Sequence, residues 1–94
     1  MELNFEWDEE KARENYRKHK VLFEEGLTVF SDPLTITIDD PDHSVDEQRY
    51  IDIGTAAKGR VLAVSYTERG SRIRIISCRR ATPTERRQYE EDLD

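Results

Sequence analysis

The chain has 94 residues, 35% of them hydrophobic and 38% charged, and a formal net charge of −6. That length suits one domain with a small core under a heavily charged surface, and the clustering of its apolar residues sets it apart from disordered chains. A single cysteine excludes an internal disulfide, two distant histidines leave no zinc-binding spacing, and no apolar run reaches membrane-spanning length. Neither a transmembrane segment nor a signal peptide is expected, and a reducing cytoplasm is the expected compartment.

Residues 4–7 read as a short strand with Phe5 and Trp7 on one face. Asp8 is placed to cap a helix that opens with Glu9 and Glu10 and closes with Arg17, Lys18, His19 and Lys20, the order a helix dipole favours. Ala12 and Tyr16 mark its inner face, flanked by Asn15 and His19. A second helix is predicted over 21–30, with Phe23, Leu27 and Phe30 on one stripe and Gly26 permitting a close contact. Ser31-Asp32-Pro33 breaks it. Leu34, Ile36 and Ile38 then alternate with Thr35 and Thr37, as in a half-buried strand.

Residues 39–47 form an acidic loop holding His43, 50–53 a short strand stopped by Gly54, and 61–67 a central strand. Residues 68–71 are the expected hairpin loop into an antiparallel strand over 72–78. Thr82-Pro83-Thr84-Glu85 is a capping box with proline at the first helical position, opening a helix over 83–91 whose tail should fray. The sum is an α+β fold in one domain, 1–94: two N-terminal helices packed on a mostly antiparallel sheet, with a short C-terminal helix.

Charge is unevenly spread. Between Arg60 and Tyr89 eight arginines stand against Glu68 and Glu85, a net of +6, whereas the first 59 residues sum to −8. An acidic chain is a poor bulk binder of nucleic acid, so it is this local excess that points to an anion, most directly a nucleic-acid backbone. Guanidinium is a planar, permanently charged fork suited to phosphate.

By strand parity Arg74 stands with Arg72, Ile76 and Cys78, opposite Ile73, Ile75 and Ser77. In mid-strand it needs either a carboxylate partner or a ligand. Arg79 and Arg80 leave the same strand, and these arginines are expected to converge on one anion. Arg69 reads as a solvated hairpin charge, and Arg86 extends the positive surface. Tyr89 shares a face with Arg86 or packs on the sheet. An acidic loop would stabilise protonated His43, and Cys78 reads as a small packed residue. No nucleotide-binding glycine loop or EF-hand ligand order is present, and no metal or cofactor is expected.

Several motifs together resemble one family. They are Phe5-Glu6-Trp7-Asp8 with Lys11, Asn15 with Lys18-His19, Phe23-Glu24-Glu25, and Asp32-Pro33. The series continues with Glu47 and Arg49, then Arg74-Ile75-Ile76-Ser77-Cys78-Arg79-Arg80-Ala81, and Glu85-Arg86 with Tyr89. They resemble the BrnT toxins of type II toxin–antitoxin pairs, whose fold is similar to the RelE ribonucleases. The likeness departs at Gly26 and Cys78, where the pattern has alanine.

The resemblance implies a metal-independent endoribonuclease that cleaves RNA and inhibits translation. It also implies a BrnA-like ribbon-helix-helix antitoxin as partner, with operator DNA touched only through that antitoxin. Cleavage without metal can use the RNA 2′-hydroxyl as nucleophile, with a base, cations on the phosphate and a donor to the leaving oxygen. In that division of labour Arg74 and Arg79 hold the phosphate, and Arg69, Arg80 and Arg86 bind RNA. Glu68 or His43 takes the proton, and Tyr89 donates to the leaving group or stacks on a base. The alternative is a non-enzymatic binding module, an inactive toxin homologue whose arginines dock an acidic partner segment.

Overall fold

A computed structural model describes residues 4–40 and 47–91, so His43 lies outside the described residues. Asp8 caps the first helix as its position predicts, its Oδ1 accepting from the N–H of Glu10 (2.8 Å) and of Lys11 (3.3 Å). The elements run β1 (Asn4–Glu6), α1 (Glu9–His19), α2 (Phe23–Leu27), a 3-10 turn (Thr28–Ser31), β2 (Ile36–Asp39), β3 (Arg49–Thr55), β4 (Val61–Arg69), β5 (Arg72–Arg80) and α3 (Pro83–Glu91). The sheet order is β1-β5-β4-β3-β2, antiparallel throughout except where β1 lies parallel to β5. Among the described residues no helix is long and apolar enough to cross a membrane.

The sheet carries a core on each face. Under α1, α2 and the 3-10 turn, Val21, Phe23, Val29, Leu62, Val64 and Ile75 are buried, and Phe30 sits between Phe5 (tilted) and Tyr66 (edge-on), its ring centroid 5.1 Å from each. Across the sheet, Tyr89 of α3 packs on Ile53 and Ala63.

Several expectations are corrected. The inner face of α1 is led by buried Asn15, while Tyr16 keeps 46% of its surface. The Asn15 amide explains this choice: Nδ2 donates to Cys78 O (2.8 Å) and Val21 O (3.0 Å), and Oδ1 accepts from Cys78 N–H (3.1 Å). The second helix tightens to a 3-10 turn after Leu27, where the Thr28 hydroxyl donates to Glu25 O at 2.6 Å. Leu34 falls outside β2 and is exposed, and β3 runs through Gly54. The hairpin loop is only Gly70-Ser71, and Gly70 takes a left-handed φ of 60°.

Parity in β5 is also broken by a bulge. Ser65 faces Ser77 while Tyr66 faces Ile75, leaving Ile76 as the extra residue. Cys78 therefore joins Ile75 in the helix-side core. A Cβ on Gly26 would lie 2.3 Å from the Cys78 sulfur, so the expected close approach at this glycine is made against Cys78.

Candidate functional site

The hairpin that joins β4 to β5 sets one group of arginines on a single face. Arg69 pairs with Arg72, Thr67 pairs with both Arg74 and Arg49, and Glu6 of β1 lies beside Arg74, so all share the face turned away from α1 and α2. Glu6 accepts from Arg74 Nη1 at 2.8 Å and stands 3.8 Å from Arg72. Arg69 reaches Glu47 at 3.5 Å. Glu68 is exposed at the same end, but pairs with Ile73 and so belongs to the opposite face.

The other end of β5 meets the start of α3. Arg79 shares the face of Arg74, which the bulge makes possible across an odd spacing, and forms a two-fold bond to Glu85 (2.7 and 2.9 Å). Hydrogen bonding from Arg79 holds the Glu85 carboxyl below its usual range. Glu85 also completes the predicted capping box: it accepts from Thr82 N–H (2.9 Å), while its own N–H donates to Thr82 Oγ1 (3.1 Å).

Arg80, exposed and without a carboxylate partner among the described residues, lines a cavity of about 370 Å³ with Arg60, Arg86, Gly59, Val61 and Ala81. Arg60 is gripped by buried Glu25 through Nε (2.8 Å) and through Nη2, and also donates to Lys20 O at 3.4 Å. That hydrogen bonding keeps the Glu25 carboxyl low. Arg86 bonds Glu90 at 2.9 Å.

Tyr89 is buried, with its hydroxyl donating to Asp32 Oδ2 (2.5 Å) and lying 2.9 Å from Thr55 Oγ1. Burial, reinforced by that bond to Asp32, raises its pKa. Its oxygen is thus committed inside the fold rather than open to a substrate. Cys78 is buried and its thiol is pushed up to about 12, chiefly by desolvation, which fits a packed residue.

The expected single convergence of arginines is therefore corrected. Glu68, Arg69 and Arg74 gather at the hairpin end, and Arg79, Arg80, Arg86 and Tyr89 at the exit end. Arg74 and Arg80 are separated by roughly 20 Å at about 3.3 Å per residue. A fully extended strand cannot bring its two ends to one phosphate. Glu6, Glu25 and Arg60 are site-forming residues that the sequence reading did not assign. No spacing signals them, because Glu6 and Arg74 are 68 positions apart and Arg60 and Glu25 are 35 apart.

A buried carboxylate, Asp52, was missed for the same reason. It accepts from Thr37 Oγ1 (2.7 Å) and Tyr66 OH (2.9 Å), and burial outweighs both bonds to raise its pKa. Among the described residues no three His, Cys, Asp or Glu side chains gather as metal ligands.

Residues 7–85 match the sequence pattern of a family described as the ribonuclease toxin, BrnT, of type II toxin–antitoxin systems. The crystal structure of the Brucella abortus ribonuclease toxin BrnT is similar, with 25% identity and a TM-score of 0.67. The similarity covers 86% of this chain and 99% of that one. No curated protein sequence matches the chain.

Proposed function

The chain belongs to the BrnT family of ribonuclease toxins of type II toxin–antitoxin systems, and from that premise we propose that it cuts RNA at the hairpin end of β5. The observation that carries this reading is the set of four arginines, Arg49, Arg69, Arg72 and Arg74, on one face at one end of the sheet. Arg74 is the central phosphate ligand, with Arg69 and Arg72 beside it. Their present carboxylate partners, Glu6 and Glu47, mark where an anion fits.

In the proposed reaction the 2′-oxygen attacks the adjacent phosphorus. The new O–P bond forms as the bond to the 5′-oxygen breaks, and the product is a 2′,3′-cyclic phosphate. The guanidinium groups stabilise charge on the phosphoryl oxygens and transfer no proton, since arginine stays protonated throughout the pH range of the folded protein. The 2′-hydroxyl proton goes to His43 or to Glu68, which stands on the opposite face and serves only if the RNA wraps round the exposed end of β4; loss of cleavage in Glu68→Gln or in His43→Gln assigns it. The leaving 5′-oxygen is protonated by water, because the Tyr89 hydroxyl is held by Asp32 at the other end of the sheet. No metal takes part in these steps.

Arg80 and Arg86, beside Arg60, bind a flanking part of the same RNA, and Arg79 orients that end through Glu85. As a type II toxin the protein has a cognate antitoxin. The proposed partner is a BrnA-like ribbon-helix-helix protein that carries the operator-DNA contact, and the toxin domain, 1–94, works in the cytoplasm.

The test is RNA cleavage by the purified chain in EDTA. Cleavage by the wild type that Arg74→Ala abolishes and Arg80→Ala only weakens supports this reading. Intact RNA with the wild-type chain, beside tight binding to an antitoxin, would mark the protein as a binding module instead.

A further inference from the structure

A groove on the α1 side of β5 lies along the strand between the two arginine regions. Lys11, Glu14, Lys18 and His19 of α1 line it with Ile76 and Ser77 of β5, around a cavity of about 200 Å³. It exists because β1 stops at Glu6: past Arg74, no strand among the described residues pairs with β5 on that side, and α1 hangs alongside by the Asn15 amide.

Its charge is open. Glu14 is the carboxylate of the lining and is paired with Arg17. Neither Lys11 nor Lys18 has an ion-pair partner among the described residues. The two lysines are two helical turns apart, so they share one side of α1 at roughly 10 Å separation, at about 1.5 Å per residue.

Each end lies towards one of the arginine regions. At the near end Arg74 is bonded to Glu6, and Asp8, two residues on, accepts from the N–H of Lys11 at 3.3 Å. At the far end Arg60, which lines the exit cavity, donates to the carbonyl of Lys20, next to His19.

We propose that this groove carries the backbone of one RNA strand from the Arg74 region to the Arg80 cavity, with Lys11 and Lys18 each neutralising a phosphate. The inference extends the ribonuclease reading and rests on it. An acidic protein segment fits less well, because protein partners bind through buried apolar anchors and Ile76 is the only large apolar side chain in the lining.

The experiment measures binding of a fluorescent 2′-O-methyl RNA oligonucleotide, whose blocked 2′-oxygen prevents cleavage, by anisotropy over a salt series. The wild type is compared with a Lys11→Gln/Lys18→Gln variant and an Arg80→Gln/Arg86→Gln variant, all four positions being exposed. The lysine variant is expected to bind about tenfold more weakly at low salt, and its log–log salt slope to fall by roughly 1.4, two single-strand phosphate contacts.

Unchanged affinity and slope in the lysine variant overturn the groove, and a weakened arginine variant then shows that the exit cavity still binds RNA. A lysine variant that loses antitoxin binding and keeps RNA affinity overturns it too. Wild-type cleavage of ordinary RNA in EDTA is scored separately. If the groove fails while cleavage persists, only this inference falls; if cleavage and RNA binding are both absent, the ribonuclease reading falls with it.

Discussion

At the exit end of β5, Arg60 and Arg79 are each bonded twice to a carboxylate, Glu25 and Glu85, whose side chains keep only 4% and 16% of their surface. At the hairpin end, Arg74 makes one bond to Glu6, Arg72 stands 3.8 Å from the same carboxylate, and Arg69 and Glu47 meet at 3.5 Å. The first arrangement is a fixed fitting that ties α2 and α3 to the sheet. The hairpin-end carboxylates Glu6 and Glu47 keep 28% and 37% of their surface and each arginine there has a single contact, and such contacts are weaker and more screened, so the second arrangement can exchange its carboxylates for a phosphate. Counting arginines does not separate fastening from binding; the number and burial of their bonds does.

The largest expected effect tests that contrast directly. Arg74→Ala should reduce kcat/KM for an RNA oligonucleotide by about 10²–10³-fold, as loss of one oxyanion donor does, with little change in stability. Arg80→Ala should weaken binding and leave kcat near wild type. Equal kcat losses in the two variants would erase the distinction between the ends.

Breaking a fitting should instead register in unfolding. Glu25→Ala leaves Arg60 uncompensated and should destabilise by about 2–3 kcal/mol in urea, less than for a fully buried pair because Arg60 keeps 27% exposure. If Glu25→Ala melts like the wild type, the exit pair is no fastening.

A third experiment probes the helix-side core behind both ends. Gly26→Ala alone should destabilise by about 1–3 kcal/mol through overpacking on the Cys78 sulfur. Adding Cys78→Ala should return much of that loss, so a double-mutant cycle should show coupling. Gly26 and Cys78 are thus one packing unit: the sulfur of Cys78 occupies the space that a side chain at position 26 would need.

The smallest effect is in pH dependence. Glu25 and Glu85 have folded pKa values below the usual range because of their arginine bonds. Their contribution is complete above the unfolded value of about 4.3 and is lost as pH falls through the folded values. Glu85→Gln should therefore flatten part of the acid limb of a stability curve, and an unaltered limb would show that Glu85 adds nothing there. Asp52 has the opposite sign. Its raised pKa means stability falls as pH rises from about 3.9 through the folded value, so Asp52→Asn should melt higher near neutrality.

Features with local causes were legible in the sequence. Asp8 and the Thr82–Glu85 box announce helix starts because their partners lie two or three residues away. The alternation of Ile36 and Ile38 marks β2 for the same reason. Periodicity failed where a tertiary bond chose the outcome: Asn15 over Tyr16 for the inner face of α1, because Cys78, 63 residues on, offers both its N–H and its C=O. The Ile76 bulge had no sequence signal, and with it went the fact that Arg74 and Arg79 share a face. The candidate site was legible as a list of arginines, and its division into two ends was not, since that depends on Glu6, Glu25 and strand length.

The Asn15 amide has a last consequence. Where β1 ends, the outer rim of β5 would otherwise present the free N–H and C=O of Cys78, a template on which a second chain could add a strand. One side chain satisfies both groups. Replacing it with leucine would open a sticky margin, and the expected phenotype is self-association into sheet-linked aggregates at concentrations where the parent chain stays dispersed.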